Sequence, residues 1–185
     1  MSQILIAYAS REGQTEKIAR HIASRLTQSG HEPVVINLKD GGREDAADHC
    51  SAAIIAGSVH LARHDQSLSG FIMRHGPTLR SVPSAFLCVS LSAASKDAHD
   101  LTAVDEITKS FLYEAGWHPD FVEHVAGAVR DSRLGLFDRF TVHAVMMEKE
   151  IPSDASGDTE LTNWEKLDGF IGEFAQLVAV RRQQE

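Results

Sequence analysis

The sequence predicts an α/β fold, a doubly wound five-stranded parallel sheet in the order 2-1-3-4-5, and three observations carry that expectation. Short apolar runs alternate with longer stretches of helical periodicity along most of the 185 residues. The runs are continuously apolar rather than alternating, as strands covered on both faces require. A polar turn, Ser10-Arg11-Glu12-Gly13-Gln14-Thr15, follows the first run and opens the first helix, which is where such sheets bind ligands.

The strands are expected at 4–9 (ILIAYA), 33–38 (PVVINL), 52–58 (AAIIAGS), 84–91 (SAFLCVSL) and 122–129 (VEHVAGAV). The first helix, 14–28, sets Ile18, Ile22 and Leu26 with Ala19 and Ala23 on one face, and Gly30 supplies a stop. Segment 41–49 has room for only a short helix. Further helices are expected at 66–75, 100–115 and 163–179, the last opening on a capping box of Thr162 with Glu165. Right-handed crossovers then leave few topologies for five parallel strands.

Residues 130–161 are too long for an ordinary connection in such a unit. They read as an insertion at the last strand, in a single domain covering 1–185. Leu134, Phe137, Phe140, Thr141, Ala144 and Val145 recur there at roughly helical spacing, and Pro152 to Glu160 reads as open loop. The apolar stripe 134–147, with Met146 and Met147, is suited to packing on its own domain or on a second subunit in a homo-oligomer, and otherwise to a membrane surface or a substrate wall.

Composition narrows the function classes. A formal net charge of −8 excludes a nucleic-acid binder, because no basic block is present to neutralise phosphates. It also weighs against electrostatic docking on anionic lipid. No basic, apolar leader and no run of membrane-spanning length occurs. Cys50 and Cys88 stand far apart, without the spacing of a disulfide framework or a zinc knuckle. A cytoplasmic protein is expected, with peripheral contact at the inner membrane open to it.

Ser10 to Thr15 carry the chemistry. Unpaired N–H groups and the positive end of the helix dipole converge there, which suits a phosphate even in an acidic protein. Ser10 and Thr15 add hydroxyls, and Gly13 lets the backbone approach closely. Glu12 has to point outward, with Arg11 offsetting its field. Neither G-x-x-x-x-G-K-[ST] nor G-x-G-x-x-G is present, so a P-loop and a dinucleotide fingerprint are both excluded. The loops after the third strand (57–65) and the fourth (89–100) lie at the same sheet edge and can enclose a flat ring.

His60 and His64 are four apart but sit in a loop without a third ligand, so no metal site is expected. No catalytic triad is assigned. Arg63, Arg130, Arg133 and Arg139 are candidate carboxylate ligands, since a guanidinium grips a carboxylate bidentately. Trp117 and Trp164 read as packing residues.

Taken together, these residues resemble the flavodoxin fold, and within it the menaquinone-dependent protoporphyrinogen oxidase family. The turn S-R-E-G-Q-T is similar to that family's phosphate turn. So are Pro83-Ser84-Ala85-Phe86, Trp117-His118-Pro119-Asp120, Ala126-Gly127-Ala128 with Arg130, Phe137-Asp138-Arg139-Phe140 and Thr162-Asn163-Trp164. The resemblance implies a noncovalent FMN whose phosphate lies on Ser10, Arg11, Glu12, Gly13, Gln14 and Thr15. It further implies that Ser58, Val59, His60, Leu61 and Ala62, with Ser90, Leu91, Ser92 and Ala93, flank the ring. The activity implied is oxidation of protoporphyrinogen IX, a tetrapyrrole, to protoporphyrin IX in two-electron steps, with electrons passed to a quinone. Arg63, Arg130 and Arg139 would meet the substrate. The chain departs from the family's S-x-R-Y-G after the third strand, where His60 and Leu61 replace the Arg and the aromatic. It departs again after the fourth, where Ala94 replaces an Arg.

Two rivals use the same cofactor: a flavodoxin-like electron carrier, and an FMN-dependent quinone or small-molecule reductase. The acidic charge suits a carrier, but neither flavin loop has a Tyr or Trp to stack on the ring. A phosphoacceptor domain of this topology fails, because the first and third strands end in AYAS and IAGS, without a carboxylate. A relative that keeps the fold without flavin is disfavoured by the intact turn.

Overall fold

The computed structural model describes residues 2–41, 44–130 and 158–183. The elements run β1 (Gln3–Ala9), α1 (Gln14–Gln28), β2 (Glu32–Asn37), a 3-10 turn (Glu44–His49), β3 (Ala52–His60) and β4 (Arg63–His64). They continue with α2 (Gln66–Ser81), β5 (Ser84–Ser90), a second 3-10 turn (Ser92–Ala94), α3 (Ala98–Glu114) and β6 (Phe121–Ala126). β7 (Ala128–Arg130), β8 (Asp158–Glu160) and α4 (Trp164–Arg182) complete the described chain.

The five long strands pair in parallel as β2-β1-β3-β5-β6, the order read from the sequence. Alternation along each strand splits the core into two layers. Ile4, Ile6, Tyr8, Ile54 and Leu87 face α1 and α4, meeting Ile18, Ile22, Phe170 and Phe174. Leu5, Ala7, Ile55 and Phe86 face α2 and α3, meeting Phe71, Ile72, Leu79 and Val104. The wholly buried Trp117 packs there too and donates Nε1–H to the Leu79 carbonyl at 3.3 Å.

Several boundaries differ from expectation for identifiable reasons. α2 runs on through Pro77 to Ser81 instead of stopping at 75. Proline disfavours a helix interior, but the buried Leu79 and the Arg80 hydrogen bond to the Gly116 carbonyl (3.2 Å) hold the last turn. The expected strand 122–129 is two strands. The chain leaves the main sheet at Gly127, whose N–H donates to the Ser90 carbonyl, and β7 then pairs antiparallel with β8. Residues 60–64 form a tight hairpin between β3 and β4 rather than a loop. The capping box is also displaced: Asn163 caps α4 by accepting from the Lys166 N–H at 2.9 Å, and Thr162 bonds elsewhere. The stripe 134–147, with Arg133 and Arg139, lies outside the described residues, as do the side chain of Arg130 and most of the expected insertion.

Gly57, in the middle of the sheet on β3, has no room for a side chain. A Cβ there would stand 2.3 Å from Leu68 Cδ1, itself buried. Gly57→Ala should therefore destabilise the fold by about 1–3 kcal/mol through overpacking. An unchanged urea midpoint would contradict this packing.

Candidate cofactor cleft

The strand order reverses at β1, between β2 and β3, so the loops leaving β1 and β3 diverge to opposite faces and open a crevice at the carboxyl edge. Ser10, Arg11, Glu12, Gln14 and Thr15 form its first wall, and Ser58, Val59 and His60 its second. Val89, Ser90 and Leu91 supply a third, and Gly127 with Ala128 a fourth, around an inner cavity of about 50 Å³. Arg11, Ser58 and His60 also border an adjoining cavity of about 390 Å³, which extends over Leu61, Arg63, His64, Asp65 and Gln66.

The inner wall has the chemistry of an anion cradle. Gly13, at φ 92°, is the N-cap of α1, a left-handed conformation that favours glycine. Side chains cap the other described helices: Asp65 on α2, Asp97 on α3 and Asn163 on α4. Among the described residues, no side chain caps α1. Ser10 Oγ accepts from the Gly13 N–H at 3.0 Å, which tightens the turn, and first-turn amides have no acceptor within their own helix. Thr15 is 1% exposed and lines the cavity. Helix-end N–H groups with two hydroxyls match the needs of a phosphate. Glu12 does not project clear of this site; it is half-buried and lines the cavity.

Not every residue singled out in the sequence meets here. Ala93 opens onto a different cavity, beside His124 and Lys166, and its N–H donates to Ser90 Oγ at 3.1 Å. Ser92 lies in the same 3-10 turn and lines neither part of the cleft. Ala62 borders a groove between α2 and α3. The wall at Gly127 and Ala128 arises from the break between β6 and β7, a feature that a continuous apolar run conceals.

The hairpin at 60–63 turns on Leu61 (φ 48°) and Ala62 (φ 57°), two non-glycine residues in the left-handed region. Leu61 is 81% exposed at its tip. Its base is anchored by His64, whose ring packs against Phe86 (5.2 Å) and Phe111 (4.6 Å). Both ring nitrogens are covered and have no hydrogen-bond partner among the described residues. Burial pushes the His64 pKa down to about 4; the nearby Ser58 backbone opposes this, and His124 reinforces it. Asp65 next to it loses solvation, but hydrogen bonds from Ser67 and Lys39 win and hold its carboxyl below the usual range. Among the described residues, no group of three His, Cys, Asp or Glu side chains is placed to hold a metal ion.

A doubly wound sheet in this strand order, with an anion cradle at its switch point, is the architecture of flavodoxin-type proteins. A flavodoxin-domain sequence profile matches residues 5–156. The protoporphyrinogen IX dehydrogenase (quinone) of Escherichia coli strain K12 is 30% identical over 173 residues, covering 94% of each chain. The protein of that name from Leishmania major is 27% identical, over 94% of this chain and 74% of its own. Among solved structures, flavodoxin 1 from Bacillus cereus superposes with a TM-score of 0.57 at 16% identity, covering 95% of this chain and 98% of that one. The chain belongs to the flavodoxin-domain family, alongside the protoporphyrinogen IX dehydrogenases, and its cofactor is FMN.

The neutral His64 gives a pH dependence with a definite sign. The folded chain resists protonation at His64 down to about pH 4, whereas the unfolded chain takes the proton near 6.5. This stabilisation is complete above pH 6.5 and is lost as pH falls toward 4. The unfolding free energy from urea titrations should fall across that window, by up to about 3 kcal/mol from this residue, and fall less in His64→Leu. Equal slopes in the two proteins would remove His64 as the cause.

Proposed function

We propose that this chain oxidises protoporphyrinogen IX to protoporphyrin IX, with a quinone as the electron acceptor. The observation that carries the reading is the similarity to the E. coli dehydrogenase across 94% of both chains, which extends beyond the nucleotide turn to the segment between β7 and β8. Bound FMN supplies a two-electron acceptor that a quinone can reoxidise. The protein is an FMN-dependent oxidoreductase, and its own residues bind, orient and exclude.

In this reading the first turn of α1, with Ser10 and Thr15, holds the phosphate. Ser58 to Leu61 and Ser90 to Leu91 border the ring, Ala62 supports the hairpin, and Ser92 and Ala93 brace the β5 loop from behind. No side chain is assigned as acid or base: the His64 nitrogens are covered, and Glu12, Asp65 and His60, which also line the cleft, are given no proton-transfer role. Arg63 is exposed on the larger cavity beside Arg11, and neither guanidinium has an ion-pair partner among the described residues. Two unpaired cations in a chain of net charge −8 suit the carboxylates of the substrate. No described helix is long and apolar enough to cross a membrane, so a membrane-borne quinone would be met at the surface. We place the chain in the cytoplasm, at the membrane face when it delivers electrons.

A flavodoxin-like carrier remains the second reading, favoured by the net acidic charge. Anaerobic mixing of the FMN-loaded protein with protoporphyrinogen IX separates the two. Flavin bleaching with porphyrin fluorescence, reversed by a quinone, is the expected result; a protein that stays yellow is a carrier or a reductase of something else. Within the site, Thr15→Ala should weaken FMN binding about tenfold, the worth of one hydrogen bond to a charged group. Arg63→Gln should raise KM for the porphyrinogen about tenfold with kcat nearly unchanged, because the contact it removes is uniform binding. A fall in kcat alone would move Arg63 out of substrate binding.

A further inference from the structure

We propose that Thr162 is a positioning residue for the phosphate cradle, acting through Gln14, and that it couples flavin occupancy to residues 158–162. The proposal rests on the cradle assignment made above. Gln14 is the first residue of α1 and is 4% exposed. Its side-chain Nε2–H donates across the fold to Thr162 Oγ1 at 2.9 Å. The Thr162 hydroxyl in turn donates to the Ala126 carbonyl, at the end of β6, at 2.7 Å. One buried hydroxyl thus uses its proton toward the sheet and a lone pair toward the cradle, a directed chain that only Ser or Thr supplies.

This chain joins separate walls of the cleft. Gly127 N–H donates to the Ser90 carbonyl at 3.1 Å, and Leu161 N–H donates to the Gly127 carbonyl at 3.0 Å. The first turn of α1, the end of β5 and the Gly127 wall therefore share one hydrogen-bonded seam that closes on Thr162. A second clasp lies outside it. Glu160, at the end of β8, pairs with Lys17 of α1 and accepts from Trp164 Nε1 at 2.7 Å. Residues 158–162, where the chain returns from the segment after β7, are gripped by the helix turn that forms the cradle.

Two features separate this from ordinary helix capping. Asn163 already caps α4, so Thr162 is not needed for that purpose. Gln14 has its side-chain amide directed to Thr162, so it serves the cradle through its backbone and through the placement of the turn. Loss of the hydroxyl would remove the bond that ties Gln14 to the sheet and let the first turn of α1 shift. By linkage, a phosphate that fixes the turn must in return stabilise residues 158–162.

The test compares FMN with riboflavin, which lacks the phosphate, in fluorescence titrations of the flavin-free full chain. Thr162→Val should weaken FMN binding about tenfold and riboflavin binding less than about twofold, whereas Thr162→Ser should restore both to near the wild-type value. FMN, but not riboflavin, should slow amide exchange at Leu161 in the wild type, and that difference should vanish in Thr162→Val. Unchanged FMN affinity, or equal loss of FMN and riboflavin, would overturn the proposal and leave Thr162 a simple brace. If Thr162→Val does not fold, the wild-type exchange experiment decides alone: equal protection of Leu161 by the two flavins rejects the coupling. Thr15→Ala separates the parent assignment. If that variant keeps its preference for FMN over riboflavin, the cradle itself is misplaced; if it loses the preference while Thr162→Val does not, only the coupling fails.

Discussion

β1 is hydrogen-bonded in parallel on both sides, to β2 from Gln3↔Glu32 to Tyr8↔Asn37 and to β3 from Ile4↔Ala52 to Ala9↔Gly57. That double pairing is the constraint from which the site follows. Right-handed crossovers send α1 to one face and α2 to the other, so the loops leaving β1 and β3 must part at the carboxyl edge. The same pairing fixes which side chains face each layer: Ile4, Ile6 and Tyr8 go one way, Leu5, Ala7 and Ala9 the other. A slip of one residue would exchange the two sets and carry the polar turn away from the crevice.

The proposed phosphate site, in a chain of net charge −8, depends on local donors outranking global charge. At physiological salt the field of distant carboxylates is screened within about 8 Å. Several acidic groups around the cleft are already paired: Glu16 with Arg20, Glu160 with Lys17, Asp65 with Lys39. What an arriving phosphate meets at contact distance is N–H and O–H, together with a guanidinium at Arg11. The half-buried Glu12 also lines the cavity, and it is the group whose placement most restrains affinity.

The main sheet was legible because its signals are local and repeated. Strands buried on both faces must be apolar throughout, and α1 must place Ile18, Ile22 and Leu26 together. The misreadings share a different cause, which is that distant contacts decided them. The helix expected to end at 75 runs on through Pro77, because Leu79 and Arg80 find partners 36 or more residues away. Gly127 reads as part of a strand, but its bonds to Ser90 and Leu161 turn the chain out of the sheet. Thr162 and Glu165 match a capping box, but the hydroxyl is drawn to Gln14 and Ala126 while Asn163 takes the cap. In the site, the turn 10–15 was readable from spacing. The fourth wall and the Gln14–Thr162 seam were not, since no spacing rule links positions 148 residues apart.

The hairpin at 60–63 is one of two places where this chain departs from the pattern of the family it resembles, and its geometry argues against decay of the loop. Two adjacent non-glycine residues in the left-handed region cost on the order of 1–3 kcal/mol each, so an unanchored loop would relax away from that conformation. Here Val59↔His64 and His60↔Arg63 pair across the turn, and the His64 ring is fixed between Phe86 and Phe111. A histidine held neutral by burial, with neither nitrogen satisfied, is itself a cost that the aromatic contacts must offset. Both costs are borne at one place, and together they hold Leu61 outward at the cleft rim and Arg63 over the larger cavity. Where the family pattern sets an aromatic by the flavin, this chain sets an aliphatic side chain on a braced turn.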